Sequence, residues 1–211
     1  MGRRSDHTRE QLREIALDAA AEIVAAEGLR GLTTRRISDK IGYTVGTLYN
    51  VFEDLDDLII QLDGRTLDAL HEYLSEVPLD GEPEVVLKAL AERYVRFSGE
   101  HARLWSLLFE HALPEGQPLP DWYEERTLRL LGFVEAALKP LFKPGEEEKR
   151  RHTARVLWSS LHGMCSLEGA PKLGSNETLS ELVDTLVTNF VAGLRAPLSL
   201  DKGVPEEGIL G

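Results

Sequence analysis

Apolar residues return every third or fourth position along nearly the whole chain, and no segment alternates apolar and polar residues over a strand's length. No Asn-Gly or Asp-Gly dipeptide joins two β-rich runs. A chain built this way has no strand edge to pair and is confined to an all-α fold. The repeat is sharpest near the C-terminus, where Leu179, Leu182, Val183, Leu186, Val187, Phe190, Val191 and Leu194 follow i, i+3, i+4, i+7. That stripe is wide enough to cover a core and a second surface as well.

Breaks in the period divide the chain into about nine helices. The first runs from Thr8 to Glu27, burying Leu12, Ile15, Ala16, Ala19 and Ile23, with Gly28 as a left-handed stop. Thr33 or Thr34 caps a short second helix to Ile41, Gly42 breaks it, and Thr44 caps a third through Phe52. Asp54 caps a long helix to about Glu76. Further helices are predicted at about 83–99 (ended by Gly99), 101–113, 120–142, 146–168 and 177–194. The expected organisation is a small head over 1–53, a helical domain over 54–196 and a disordered tail over 197–211.

Charge separates the same two parts. The chain of 211 residues has a net charge of -12, which by itself argues against nucleic acid. Residues 1–50, however, carry 8 basic and 7 acidic side chains, a net +1. The remaining 161 hold all of the acidic excess. A single cysteine, Cys165, excludes an intrachain disulfide. No apolar run reaches a membrane span and MGRRSDHTRE has no apolar leader, so the cytoplasm is expected and no membrane partner.

Three short helices within 50 residues, the last two joined across a glycine, suggest a helix-turn-helix. The segment LTTRRISDKIGYTVGTLYNVF (32–52) resembles the DNA-binding signature of TetR-type regulators. Shared features are the Thr-Thr pair, Ile37 and Ile41, Gly42, Thr44, the run Gly46-Thr47-Leu48-Tyr49, and Phe52. The resemblance implies a TetR-like fold, a dimer and a double-stranded DNA operator. Its implied contacts are Thr33, Thr34, Arg35, Arg36, Tyr43, Thr44, Val45, Gly46, Thr47, Tyr49 and Asn50, with Arg35 on a base and Tyr43 or Val45 against a thymine methyl. The physics fits: a short helix with a glycine can approach the floor of a groove about 12 Å wide. Hydroxyls suit phosphate oxygens. Arg3, Arg4 and Arg9 could reach phosphate or the minor groove. The departures are Val51 and Leu55, where the family usually has His and Lys. Glu53, Asp54, Asp56 and Asp57 add four carboxylates there, which should flatten the salt dependence of binding.

The acidic part should hold an effector and a partner subunit. WSSLHGMCSLE (158–168) has the spacing Trp-x-x-x-His-Gly and resembles a TetR C-terminal subfamily often called the WHG domain. A small apolar or amphipathic effector is expected among Tyr94, Phe97, Trp105, Phe109, Trp122, Tyr123, Trp158 and His162. Arg93, Arg96 and Arg103 could serve an anionic ligand or lie on the surface. A homodimer face is expected on Ser159, Gly163, Leu182, Leu186 and Phe190. No HExxH, GxSxG, P-loop or dinucleotide glycine motif is present, so neither enzyme nor cofactor is expected. Two rivals remain: metal sensing through His101, Glu110 and His111, and an interaction module without DNA binding.

Overall fold

The computed structural model describes residues 7–167 and 177–196; Arg3, Arg4, Glu168 and the expected tail lie outside them. Among the described residues there are nine α-helices and no strand. They are α1 (Arg9–Glu27), α2 (Thr34–Ile41), α3 (Val45–Leu48), α4 (Leu55–Ser75), α5 (Pro83–Glu100), α6 (Ala102–Glu110), α7 (Asp121–Leu138), α8 (Glu147–Leu167) and α9 (Leu179–Arg195). Short 3-10 turns occupy Leu29–Gly31 and Lys139–Leu141.

Side-chain caps set the helix starts. Thr8, Thr33, Thr44, Asp54 and Thr178 each accept a hydrogen bond from a backbone N–H in the first turn. Each such cap contributes about 1 kcal/mol. Gly28 and Gly42 stop α1 and α2 at φ 73 and φ 74. Only Gly42 is a true left-handed cap, since Gly28 has ψ -174.

Four boundaries differ from the periodicity, one being that α6 ends at Glu110 instead of about 113. α5 continues through Gly99, and the single residue His101 separates it from α6. α7 ends at Leu138 because Pro140 has no N–H to extend the ladder. α3 closes at Leu48 instead of Phe52. There the bonds Asn50 N–H to Thr47 O (3.2 Å) and Val51 N–H to Leu48 O (2.9 Å) tighten the chain into a turn.

Two apolar cores result. One joins α1, α2 and α3 through Ala16, Leu17, Ala20, Val24, Ile37, Leu48 and Phe52. α1 is covered on more than one side, so Leu17, Ala20 and Val24 are buried while Ile15 is only half-buried. The other core lies among α4, α5, α7, α8 and α9. α4 belongs to both: Leu58, Ile59 and Leu62 join the first, and Leu67, Leu70 and Leu74 the second. α6 also bridges them, since Leu107 is fully buried in the first core and Trp105 in the second. Burying each such side chain contributes roughly 1.5–3 kcal/mol. The two cores are therefore fastened by shared helices, which makes strain in one felt in the other.

Candidate nucleic-acid interface and internal cavity

The turn between α2 and α3 is held from inside. Ile37, Leu48 and Phe52 are 0%, 1% and 3% exposed and fix the angle of α3. The opposite face is open. Thr33, Arg35, Thr44, Gly46, Tyr49 and Asn50 are exposed, and Thr34, Tyr43, Val45 and Thr47 are half-buried. Tyr49, at 50% exposure, is no core tyrosine. Thr44 Oγ1 accepts from Thr47 N–H at 3.3 Å and lies 2.9 Å from Thr47 Oγ1, so the two hydroxyls form one polar edge.

The two arginines of α2 differ in situation. Arg35 projects from the surface with only a 3.9 Å approach to Asp39. Arg36 forks onto both oxygens of Glu27 and donates to Gly31 O at 3.0 Å. That bond holds the Glu27 carboxyl below its ordinary pKa and raises that of Arg36. Arg36 thus ties α2 to α1 and is not a free cation. Tyr43 Oη meets His7 Nδ1 at 2.7 Å, which fixes the start of the described chain against the turn.

Gly46 has no internal reason to be glycine. Its φ is not positive, and a Cβ there would find only Thr44 Oγ1, at 3.9 Å. Its bareness is useful only to something approaching from outside.

The four carboxylates that open α4 are mostly engaged within the protein. Asp54 Oδ1 accepts from Asp57 N–H at 2.7 Å, and Asp57 Oδ2 from Glu53 N–H at 2.9 Å. Asp56 pairs with His111 Nε2 at 2.8 Å. Their charge sits on a helix N-terminus, where the dipole offsets part of it. Val51, where the family usually has His, is buried, and its carbonyl accepts from Arg13 at 3.1 Å.

Behind this head, α4, α6, α7 and α8 enclose a cavity of about 530 Å³. Its walls are Leu67 and Leu70 from α4, Tyr94 from α5, Leu108 and Phe109 from α6, Leu119, Tyr123, Glu124, Thr127 and Leu130 from α7 and the loop before it, and Trp158 from α8. Of the eight expected effector residues, Tyr94, Phe109, Tyr123 and Trp158 reach it. The others do not line it. Phe97 packs in the core against Tyr73 and His101. Trp122 lies over Gly64, under the Arg126 guanidinium. Trp105 and His162 stand one layer behind the wall. Trp105 Nε1–H donates to Tyr94 Oη at 3.2 Å, and Tyr94 Oη meets His162 Nδ1 at 3.0 Å. Burial pushes the Tyr94 phenol up and the His162 imidazole down. Arg93 is held by Tyr73 O and Glu76, and Arg103 donates to Ala25 O at 3.3 Å. The expected effector set missed Leu67, Leu70, Leu108, Leu119, Glu124, Thr127 and Leu130. The signal available for three of them was the i, i+4, i+7 series Tyr123, Thr127, Leu130, with Glu124 beside it.

The expected dimer residues lie along α8 and α9. Ser159 is exposed, and Gly163 is half-buried with nothing within 4 Å of an added Cβ. Leu182, Leu186 and Phe190 are half-buried, and Leu186 also lines an inner apolar crevice with Leu87 and Leu157. Among the described residues no group of three or more His, Cys, Asp or Glu could hold a metal ion. No described helix is long and apolar enough to cross a membrane.

A glycine-floored recognition helix on a packed three-helix head, joined to a helical domain around an apolar cavity, defines a helix-turn-helix DNA-binding regulator. The chain belongs to the TetR family. A model of the bacterial regulatory proteins of the tetR family matches residues 16–62, and one of the tetracyclin repressor-like C-terminal domain matches residues 87–190. It is 24% identical over 192 residues to the uncharacterised HTH-type transcriptional regulator YobS of Bacillus subtilis, covering 86% of this chain and 91% of that one. A protein of unknown function from Rhodococcus sp. RHA1 superposes with a TM-score of 0.73 at 20% identity, over 92% of this chain and 100% of that one. The regulator FadR from Bacillus subtilis, in complex with stearoyl-CoA, does so at 0.65 and 15% identity, over 85% of this chain and 98% of that one. The family is one of transcriptional regulators, not enzymes.

Proposed function

We propose that the chain is a homodimeric, ligand-responsive repressor in the cytoplasm, binding a palindromic operator and released by a small apolar or amphipathic effector in the α4–α8 cavity. The observation that carries this reading is α6. Leu107 is buried in the core of the reading head, while its neighbours Leu108 and Phe109 line the cavity. A ligand that moves α6 by even a fraction of a side chain must repack the head. The superposition on FadR, whose structure holds stearoyl-CoA, supports a ligand-binding role for the fold.

In this reading residues 1–53 are the head and 54–196 the effector and dimer domain. Thr33, Thr34, Arg35, Tyr43, Thr44, Val45, Gly46, Thr47, Tyr49 and Asn50 face the operator, with Arg35 on a base. Arg36 positions α2 through Glu27 instead of reading DNA. Ser159, Gly163, Leu182, Leu186 and Phe190 meet a second subunit, which sets two α3 helices about one DNA turn apart. The bare face at Gly163 supports a close helix contact. The test is fluorescence anisotropy on fragments flanking the chain's own gene, with the mass of the protein in solution measured beside it. Sequence-selective binding by a dimer is expected. A monomer, or equal affinity for random DNA, overturns the reading.

A further inference from the structure

The cavity behind the reading head carries a chemical bias that its apolar walls conceal. Among the described residues, none that lines it is Lys, Arg or His. The one charged side chain on the wall is Glu124, which is exposed and stands at the mouth. Four of the lining side chains are aromatic: Tyr94, Phe109, Tyr123 and Trp158. Arg93 is engaged with Glu76 and Arg126 with Asp68.

A second carboxylate lies behind the wall. Asp63 is 2% exposed on α4, one turn before the lining residue Leu67, and its Oδ1 has no hydrogen-bond partner. A buried carboxylate without a partner is costly. The Arg65 Nη2 is taken by Asp18 and Glu14 and Arg126 by Asp68, so burial lifts the Asp63 pKa to about 7 and a cation beside it would draw the proton off. Aromatic faces and carboxylates both attract a cation and both repel an anion.

We infer that this cavity takes a lipophilic cation, an apolar molecule carrying one alkylammonium or amine charge. Its tail lies along Leu67, Leu70 and Leu130, and its charge sits among Tyr123, Glu124 and Asp63. The inference rests on the reading of the cavity as the effector site and adds the sign of the effector's charge. A carboxylate-bearing ligand would meet the Glu124 charge, joined above about pH 7 by that of Asp63, and no counter-ion on the described walls.

The test uses the full chain and three ten-carbon probes of matched length: decyltrimethylammonium, decan-1-ol and decanoate, each below its micelle concentration, titrated calorimetrically. The ammonium should bind at least about tenfold more tightly than the alcohol, and decanoate more weakly than either. At pH 8, where Asp63 is ionised, Glu124→Gln and Asp63→Asn should each weaken the ammonium roughly fivefold and leave decan-1-ol unchanged. Thr127→Trp, which fills the mouth, should abolish binding of every probe in a protein whose helicity is unaltered. Decanoate binding as tightly as the ammonium, or both charge variants binding the ammonium like the parent, overturns the cation while leaving the cavity as effector site. Failure of all three probes to bind overturns both.

Discussion

The Tyr94 hydroxyl lies 3.0 Å from Nδ1 of His162 across 68 residues of sequence. An indole N–H can only donate, so Tyr94 Oη accepts from Trp105 Nε1–H at 3.2 Å. The tyrosine's own proton is left for a second bond, and in the tautomer where it goes to Nδ1 the His162 Nε2 hydrogen faces Ser166 Oγ at 3.2 Å. Tyr94→Phe strands the indole N–H and Nδ1 together and should cost about 1–3 kcal/mol in urea unfolding. Because burial holds the His162 pKa below its ordinary value, the unfolded chain takes a proton first as pH falls. This residue thus makes the protein lose stability below about pH 6.5. His162→Gln should flatten that limb.

Asp63 carries the opposite slope. Burial lifts its pKa to about 7 from 3.8. Between those two values the folded protein keeps a proton that the unfolded chain has released, so stability falls as pH rises from 4 to 7 and is level above. The limiting slope is about 1.4 kcal/mol per pH unit. Asp63→Leu should raise the midpoint of thermal unfolding strongly at pH 8 and little at pH 4. An equal rise at both would show that packing, not charge, sets the effect.

These two groups also mark how far the sequence could be read. Helix starts were legible because a capping side chain acts within three residues, as Thr8, Thr44 and Thr178 do. The buried stripe of α9 was legible because that helix has one covered face. The cavity wall was not, because it draws on five helices, and α6 buries both Trp105 and Leu107 on different sides, so no single period says which aromatic faces what. Hence Trp105 and Trp122 were grouped with Tyr94 and Tyr123 although only the last two line the cavity. The Tyr94–His162 contact runs from α5 to α8 and leaves no local trace. Asp63 did leave one: it interrupts the apolar series Ile59, Leu67, Leu70, Leu74 on the covered face of α4.

Gly46 separates fold from function in one substitution. The protein has room for a methyl group there. Replacing glycine by alanine in a helix stabilises it by up to about 1 kcal/mol. Gly46→Ala should therefore unfold at the same or a higher urea concentration. It should nonetheless bind its operator at least about tenfold more weakly, because the methyl group stands between α3 and the groove floor. A variant with parental affinity would mean that α3 does not approach DNA at this position.

His111 and Asp56 join the end of α6 to the start of α4 at 2.8 Å, and the His111 side chain is only 8% exposed. This contact fastens the cavity's edge to the head. Asp56→Ala should leave operator binding by the free protein within about threefold and shrink the fold-change that an effector causes, since a slack joint transmits less coupling energy. The measurement is operator affinity with and without saturating ligand in both proteins. Identical fold-changes would place the coupling elsewhere, with Leu107 the next residue to vary.

Arg35 and Arg36 are neighbours with opposite expected phenotypes. Arg35 is 86% exposed in its side chain, so Arg35→Ala should leave unfolding unchanged and weaken operator binding by about 1–3 kcal/mol. Arg36 is bound to Glu27 and Gly31, so Arg36→Ala should lower stability, and Glu27→Ala should lower it no further in the double variant. The salt response distinguishes the head from a strongly basic one. A net +1 over residues 1–50, with one free arginine in α2, should release few counter-ions. A plot of log K against log salt should fall with a slope well short of about -10, the steepness of a protein that neutralises many phosphates. In Arg35→Ala that slope should ease by about 1 if the guanidinium meets phosphate and stay put if it meets a base.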